Sequence, residues 1–343
     1  MKKQNILKKL EELLNISSPT GNTGKAVNFL EEEFKKLNLD IVKNNKGNLM
    51  VSIPGRDTSK EITVSAHIDT LGGMVKEIKS NGRLKLTQLG GYSYNTIEGE
   101  YVEIETMDGE IYTGTVMTTK ASSHVHGAEL DKLERNISNM EIRIDERVET
   151  KEDVLELGIN VGDFISFDPR TRVLDNGFVK SRHLDDKAGV IAILFMLKEI
   201  IEKNLTLNYT TNFFISHYEE VGHGSSASIT DRTFEFLAID MAAPGEGQTS
   251  DEFSVTICAK DSTGPYDLSM RKRLTELAKA NGLNYKVDIY PFYGSDASAA
   301  LRAGHDMKTA LIGPGVDASH SFERTHIEAI ENTIELGLLY LTK

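Results

Sequence analysis

The feature that most constrains this chain is a change of texture inside it. From about Gly72 to Asp175 helical periodicity nearly vanishes, while both flanks alternate amphipathic helices with short apolar strands. Before the change, Ile6, Leu7, Leu10, Leu13 and Leu14 recur at helical spacing, and Ser17-Ser18-Pro19-Thr20-Gly21 breaks the run. A second helix carries Val27, Leu30, Phe34 and Leu37, and two apolar strands follow at Leu49–Ile53 and Ile62–Ala66. Within the change, Tyr101–Glu105 and Ile111–Val116 alternate around Asp108-Gly109, a hairpin signal. Gly162–Phe167 reads as another strand and Glu146–Leu157 as a short helix. After it, helices are expected at Ala188–Glu202, Leu268–Asn281 and His326–Tyr340, and strands at Thr211–Ser216, Phe236–Ile239 and Lys308–Ile312. This pattern predicts an α/β layer fold at residues 1–71 and 176–343, with a β-rich module inserted at 72–175.

The length of 343 residues agrees with two domains at roughly 150 residues each. Lys and Arg number 39 against 52 Asp and Glu, a net charge of −13. That balance argues against nucleic acid and against an anionic membrane surface, both of which need a basic footprint. The single cysteine, Cys258, can form neither an intramolecular disulfide nor a thiolate zinc cage, and reads as a small buried hydrophobe. The first residues lack the apolar stretch of a secretory signal, and the longest apolar run, Gly189–Leu197, is too short to span a bilayer. The expectation is a cytoplasmic protein.

Chemistry-bearing residues cluster after the expected strands: His67-Ile68-Asp69, Asp185-Asp186-Lys187, Glu219-Glu220 and Asp240, with His320 beyond a glycine-rich loop. Ligands of open α/β sheets bind outside the carboxyl ends of the strands. Any one of these clusters alone is ordinary: a surface histidine, a solvated turn, a charged face. Five segments converging on one edge are hard to explain by packing. Adjacent strand residues point to opposite faces, so Glu219 and Glu220 share a site only if the backbone bends there, and Val221-Gly222-His223-Gly224 permits a bend.

Imidazole and carboxylate donors without thiolate suit Zn²⁺, Co²⁺ or Mn²⁺. Asp185, Glu220 and Asp240 would set −3 against the +4 of two dications, leaving positive charge to polarise a carbonyl oxygen and acidify a water. Two metals of a hydrolytic pair lie ~3.5–4 Å apart, so one carboxylate must bridge them. A further carboxylate outside the ligand set can carry the proton from water to the leaving amine. An Asp two positions after a ligand His can hold its other ring nitrogen.

Ser65-Ala66-His67-Ile68-Asp69-Thr70, Leu184-Asp185-Asp186-Lys187-Ala188-Gly189, Tyr218-Glu219-Glu220-Val221-Gly222, Ala238-Ile239-Asp240 and Ser319-His320-Ser321 together carry a resemblance over essentially the whole length. The chain resembles the co-catalytic metallo-aminopeptidases that include glutamyl, deblocking and tetrahedral aminopeptidases. The resemblance implies a mixed-sheet α/β/α metallopeptidase (phosphorylase/hydrolase-like) domain with an inserted small β-barrel (PDZ-like) domain that mediates dimer contacts. It implies two divalent ions per subunit, one on His67, Asp185 and Asp240, the other on Asp185, Glu220 and His320. Asp185 would bridge and its bond to Asp186 would be cis, Glu219 would act as general base and acid, and Asp69 would partner His67. Peptide substrates and a homo-oligomer, from dimer to dodecamer, follow from the same resemblance.

A related tripeptidase and deacylase family shares similar motifs but carries its second domain late. Here 116 positions separate Asp69 from Asp185 and only 80 separate Asp240 from His320, so the insert is early, as in the aminopeptidases. Glu323-Arg324-Thr325-His326 resembles the tripeptidase ending, which keeps that alternative open; the complete ligand set argues against a third reading, a non-catalytic metal-bound assembly protein. A glucanase activity is discounted, because glycoside hydrolysis normally uses a separated carboxylate pair. Tyr218 stands where a Gln is common, Asp317 where a basic residue is common, and His183 beside the bridging Asp is unusual. Gly294-Ser295-Asp296-Ala297 matches a family stretch near the site, with Asp296 read as a neighbour of the ligands. His124 and His126 are candidates for reaching a neighbouring copy's pocket, whereas His217, His223 and His305 read as structural.

Overall fold

The computed structural model describes residues 2–343. It begins with α1 (Lys2–Leu14), which buries Ile6, Leu10, Leu13 and Leu14, and α2 (Gly24–Lys36), which buries Ala26, Val27, Leu30 and Phe34. Strands β1 (Ile41–Lys43), β2 (Leu49–Ile53) and β3 (Gly55–His67) follow. The insert holds β4 (Gly72–Ile78), β5 (Leu84–Leu89), β6 (Tyr101–Glu105) and β7 (Ile111–Thr118), short helices α3 (Ser123–His126) and α4 (Ala128–Lys132), β8 (Met140–Ile144), α5 (Lys151–Glu156) and β9 (Phe164–Phe167). The chain returns through β10 (Arg172–Val173), β11 (Phe178–Ser181), α6 (Leu184–Glu202), β12 (Leu207–Ser216) and β13 (Thr233–Ile239). It closes with β14 (Val255–Asp261), β15 (Gly264–Pro265), α7 (Leu268–Ala280), β16 (Tyr285–Ile289), α8 (Asp296–Arg302), β17 (Lys308–Pro314), β18 (Glu323–His326) and α9 (Ile327–Thr342).

These elements form two compact units: residues up to Thr70 with Arg170–Lys343, and Leu71–Pro169. The first is built on a nine-stranded sheet in the order β1-β2-β12-β3-β13-β17-β14-β15, with β16 paired to β14. β12, β3, β13 and β17 run parallel to one another, while β1, β2 and β14 introduce antiparallel pairs, so the sheet is mixed. Side chains alternate between its faces. Leu237 and Ile239 enter a large core with α1, α2, α6, α7 and α9, whereas Phe236 and Ala238 enter a smaller core with Ala297 and Ala300 of α8. Helix α6 is buried from Leu184 to Leu197 and apolar all round from Ala188 to Leu197, as expected of a helix in the middle of a core. No helix among the described residues is long and apolar enough to cross a membrane.

The second unit is a closed antiparallel barrel, β4-β5-β8-β7-β6-β9, filled by Val75, Leu84, Leu86, Val102, Ile104, Val116, Ile142 and Ile165. Closure removes the open edges that a small sheet would expose. The fold is thus the α/β architecture with an inserted small barrel that the sequence pattern and the resemblance lead one to expect.

Two expectations need correction. The insert helix begins at Lys151, not Glu146: the Thr150 hydroxyl accepts the Asp153 N–H while the Asp153 carboxylate accepts the Thr150 N–H, a capping box that sets the start. Asp185 does not follow a strand of the main sheet. The preceding β11 belongs to a separate three-stranded sheet, β10-β11-β18, and Asp185 opens α6.

Candidate metal centre and active site

The parallel strands β12, β3 and β13 are adjacent, so their carboxyl ends meet at one edge near the middle of the sheet. β3 ends on His67, β13 ends one residue before Asp240, and β12 ends two residues before Tyr218 and the glutamate pair. α6 brings Asp185 to the same place, and the loop after β17 brings His320. The bend at the glutamates comes earlier than the glycines suggest. Tyr218 itself has φ +75°, unusual for a bulky residue, and its ring stacks between His217 at 3.9 Å and His223 at 5.0 Å. Tyr218 therefore occupies a turn and a stack.

Donor atoms of His67, Asp185 and Asp240 lie within 4.8 Å of one another, as do those of Asp185, Glu220 and His320. Asp185 belongs to both groups through different oxygens: Oδ1 is 3.1 Å from His67 Nε2, and Oδ2 is 3.3 Å from His320 Nε2. Glu220 Oε2 lies 3.5 Å from His320 Nε2, Asp240 Oδ1 3.9 Å from His67 Nε2, and Glu219 Oε2 3.8 Å from His67 Nε2. The peptide between Asp185 and Asp186 is cis.

A surrounding layer of hydrogen bonds holds these side chains. His67 Nδ1 pairs with the main-chain carbonyl of Asp69 at 2.9 Å, while the Asp69 carboxylate stands 3.8 Å away. That carboxylate accepts the N–H groups of Glu219 (3.1 Å) and Glu220 (3.3 Å) and the Thr20 hydroxyl (2.7 Å). Asp69 thus holds both His67 and the glutamate turn. Asp186 accepts the N–H groups of His67 and Gly189. Asp296, buried at the start of α8, accepts the Ser216 hydroxyl at 2.5 Å and the Ser225 N–H at 2.9 Å, tying down both ends of the glutamate loop. Gly224 lets that loop approach, since a Cβ there would collide with the Asp296 carboxylate.

Sequence reading missed the role of Glu323. Its buried carboxylate accepts the N–H of Asp185 through Oε2 (3.1 Å) and that of His320 through Oε1 (3.2 Å), joining two ligand-type segments. Its place three residues after His320 was the available signal. It also missed Tyr293, whose phenol donates to the Met241 carbonyl at 2.9 Å, next along the chain from Asp240. Asp317 pairs through its backbone with Arg324, whose guanidinium pairs with Glu252. His217 is structural, accepting the Gly21 N–H at 2.8 Å. His124 and His126 lie on α3 of the barrel unit.

Burial and crowding govern the electrostatics. Burial pushes Glu220 and Asp240 up to about 8, aided by the neighbouring Asp185 charge. Burial also pushes Glu219 well up. Asp185 goes the other way: burial would raise it, but hydrogen bonds from His320 and His67 outweigh that and hold it low. Oε1 of Glu220 is buried without a hydrogen-bond partner among the described residues. A buried set of oxygen and imidazole donors with excess negative charge and an orphaned carboxylate oxygen fits divalent cations.

A cavity of about 620 Å³ opens onto this edge, lined by Asp185, Glu219, Glu220, Asp240 and His320. That volume suits a small ligand or the end of a peptide.

The family model for M42 glutamyl aminopeptidase matches residues 47–336. The provisionally named aminopeptidase YhfE of Bacillus subtilis (strain 168) is 52% identical over 97% of this chain and 96% of its own. Among solved structures, the aminopeptidase APDkam598 from the archaeon Desulfurococcus kamchatkensis superposes with a TM-score of 0.89 at 22% identity, covering 100% of this chain and 96% of that one. The Pyrococcus horikoshii TET1 peptidase, described as able to assemble into a tetrahedron or a large octahedral shell, gives 0.87 at 24% identity, covering 98% and 99%. The two structures share the fold, and the sequence matches carry the family. The chain belongs to the M42 glutamyl aminopeptidase family, hydrolases that act on peptides.

Proposed function

We propose that this chain is a two-metal aminopeptidase that removes N-terminal residues from peptides. His67, Asp185 and Asp240 would hold one divalent cation and Asp185, Glu220 and His320 the second. The observation that carries the reading is the division of Asp185, whose two oxygens face two different histidines in two donor groups. Zn²⁺ or Co²⁺ suits these donors, with Mn²⁺ as a further candidate. When bound, such ions act as Lewis acids toward the scissile carbonyl and make a water acidic enough to attack near neutral pH.

The chain's own groups would do the rest. Glu219 lies beside the donor groups, lines the cavity and has its backbone held by Asp69. It would take the proton from the attacking water and return it to the departing amine, as a general base and then a general acid. Asp69, Asp296 and Glu323 would keep Glu219 and the ligands in place, and the buried setting would exclude bulk water. The family assignment favours this reading over a tripeptidase or deacylase, and the intact set of candidate groups favours it over a non-catalytic assembly protein.

In the same reading the barrel unit mediates contacts between copies, and the chain is a homo-oligomer. Exposed Tyr101, Met107 and Val161 on that unit support this. Exhaustive chelation should abolish hydrolysis of aminoacyl-p-nitroanilides, and added Zn²⁺, Co²⁺ or Mn²⁺ should restore it. Full activity in metal-free protein would reject the two-metal reading.

A further inference from the structure

We propose that the cavity selects peptides whose N-terminal residue carries a large apolar side chain, and that Phe292 sets this preference. The inference rests on the aminopeptidase reading above and names its substrate class. Beyond the donor groups, the same cavity is walled by Met241, Pro244, Tyr290, Pro291, Phe292 and Tyr293. The remaining charged groups of the lining are Glu246 and Arg302, both exposed, so solvent screens them, and opposite in sign, so together they add no net charge. Gln248 donates from its amide nitrogen to the Ile289 carbonyl at 2.7 Å.

Phe292 is 96% exposed, the most exposed large apolar side chain among the described residues. An aromatic ring left in water forfeits its burial energy, so one standing free at the rim of an apolar cleft suggests a surface completed by a ligand. Its flanks are held firmly. The Tyr290 phenol pairs with the Ser250 hydroxyl at 2.6 Å, and the Tyr290 N–H donates to Lys260 at 2.9 Å. On the other side the Tyr293 phenol is fixed to Met241, and the Tyr293 carbonyl accepts the Ser262 N–H at 3.0 Å. Pro291 restricts the backbone immediately before the ring. The ring is therefore carried on an anchored segment of the cavity that Asp240 and Glu219 also line, and the first side chain of a peptide whose carbonyl reached those groups would lie in that cavity.

The test uses metal-reconstituted full-length protein with Ala-, Leu-, Phe-, Glu- and Lys-p-nitroanilide. Leu and Phe substrates should exceed the other three in kcat/KM by about tenfold or more, the range a hydrophobic pocket gives. Phe292→Ser should narrow that ratio mainly through KM, and Phe292→Leu should retain it. A wild-type preference for Glu or Lys overturns the inference while leaving the aminopeptidase reading intact. An unchanged ratio in Phe292→Ser also overturns it; if light scattering then shows a smaller particle, Phe292 belongs to a contact between copies. Hydrolysis of none of the five overturns the aminopeptidase reading, and this inference with it.

Discussion

At the scale of single residues, the site depends on carboxylates that each do two things. Asp185 faces two histidines, Asp69 accepts two consecutive backbone N–H groups, and Glu323 accepts one N–H from each of two ligand-type segments. Glu219 is different, because it stands beside these groups without belonging to either donor set. Glu219→Gln should therefore retain two cations per chain by elemental analysis while losing most turnover, by about 10²–10⁴-fold for a general acid–base residue. Loss of metal in that variant would make Glu219 a ligand instead. Glu323→Gln keeps one acceptor oxygen and turns an amide NH₂ toward the other N–H. Cation affinity in chelator competition should fall by about 10–100-fold, as for other residues that hold metal ligands. An affinity equal to wild type would reduce Glu323 to a packing role. The candidate ligands were legible because five segments, each ordinary alone, carry His or carboxylate in motifs that are specific together. Glu323 was not, because its partners lie at Asp185 and His320 and only the closed fold brings all three together.

At the scale of elements, three parallel strands, one helix and the loop after β17 deliver the site. That much was readable, since the second half of β3, β12, β13 and α6 are apolar runs whose lengths separate strand from helix. The elements that escaped reading are short and defined by distant partners. β11 pairs with β18 across most of the second half of the chain, with Phe178 opposite His326, and no local pattern announces that. Helix α8 has only seven residues, too few for a periodic signal, yet its first residue, Asp296, anchors the glutamate loop. Helix α6 has the opposite character, with Leu194 fully buried among its neighbours. Leu194→Ala should destabilise the protein by about 2–5 kcal/mol, the cost of a buried cavity. Val42→Ser, at a 57% exposed strand position, should stay within about 0.5 kcal/mol. Thermal unfolding of the two variants beside wild type checks this, and equal midpoints would mean that α6 contributes little to the core.

At the scale of the molecule, an α/β unit is interrupted by a barrel unit, and the net charge of −13 is largely spread over the solvated surface. Light scattering at micromolar concentration should give a mass of at least two chains; a mass near the 38.0 kDa of one chain would reject the oligomer. The central claim concerns the divided carboxylate of Asp185. Its most direct test is an anomalous-difference map from crystals of the zinc-reconstituted protein. The expected map has two peaks per chain, one contacting His67, Asp185 and Asp240 and the other Asp185, Glu220 and His320. A single peak, or a pair that does not share Asp185, would contradict it.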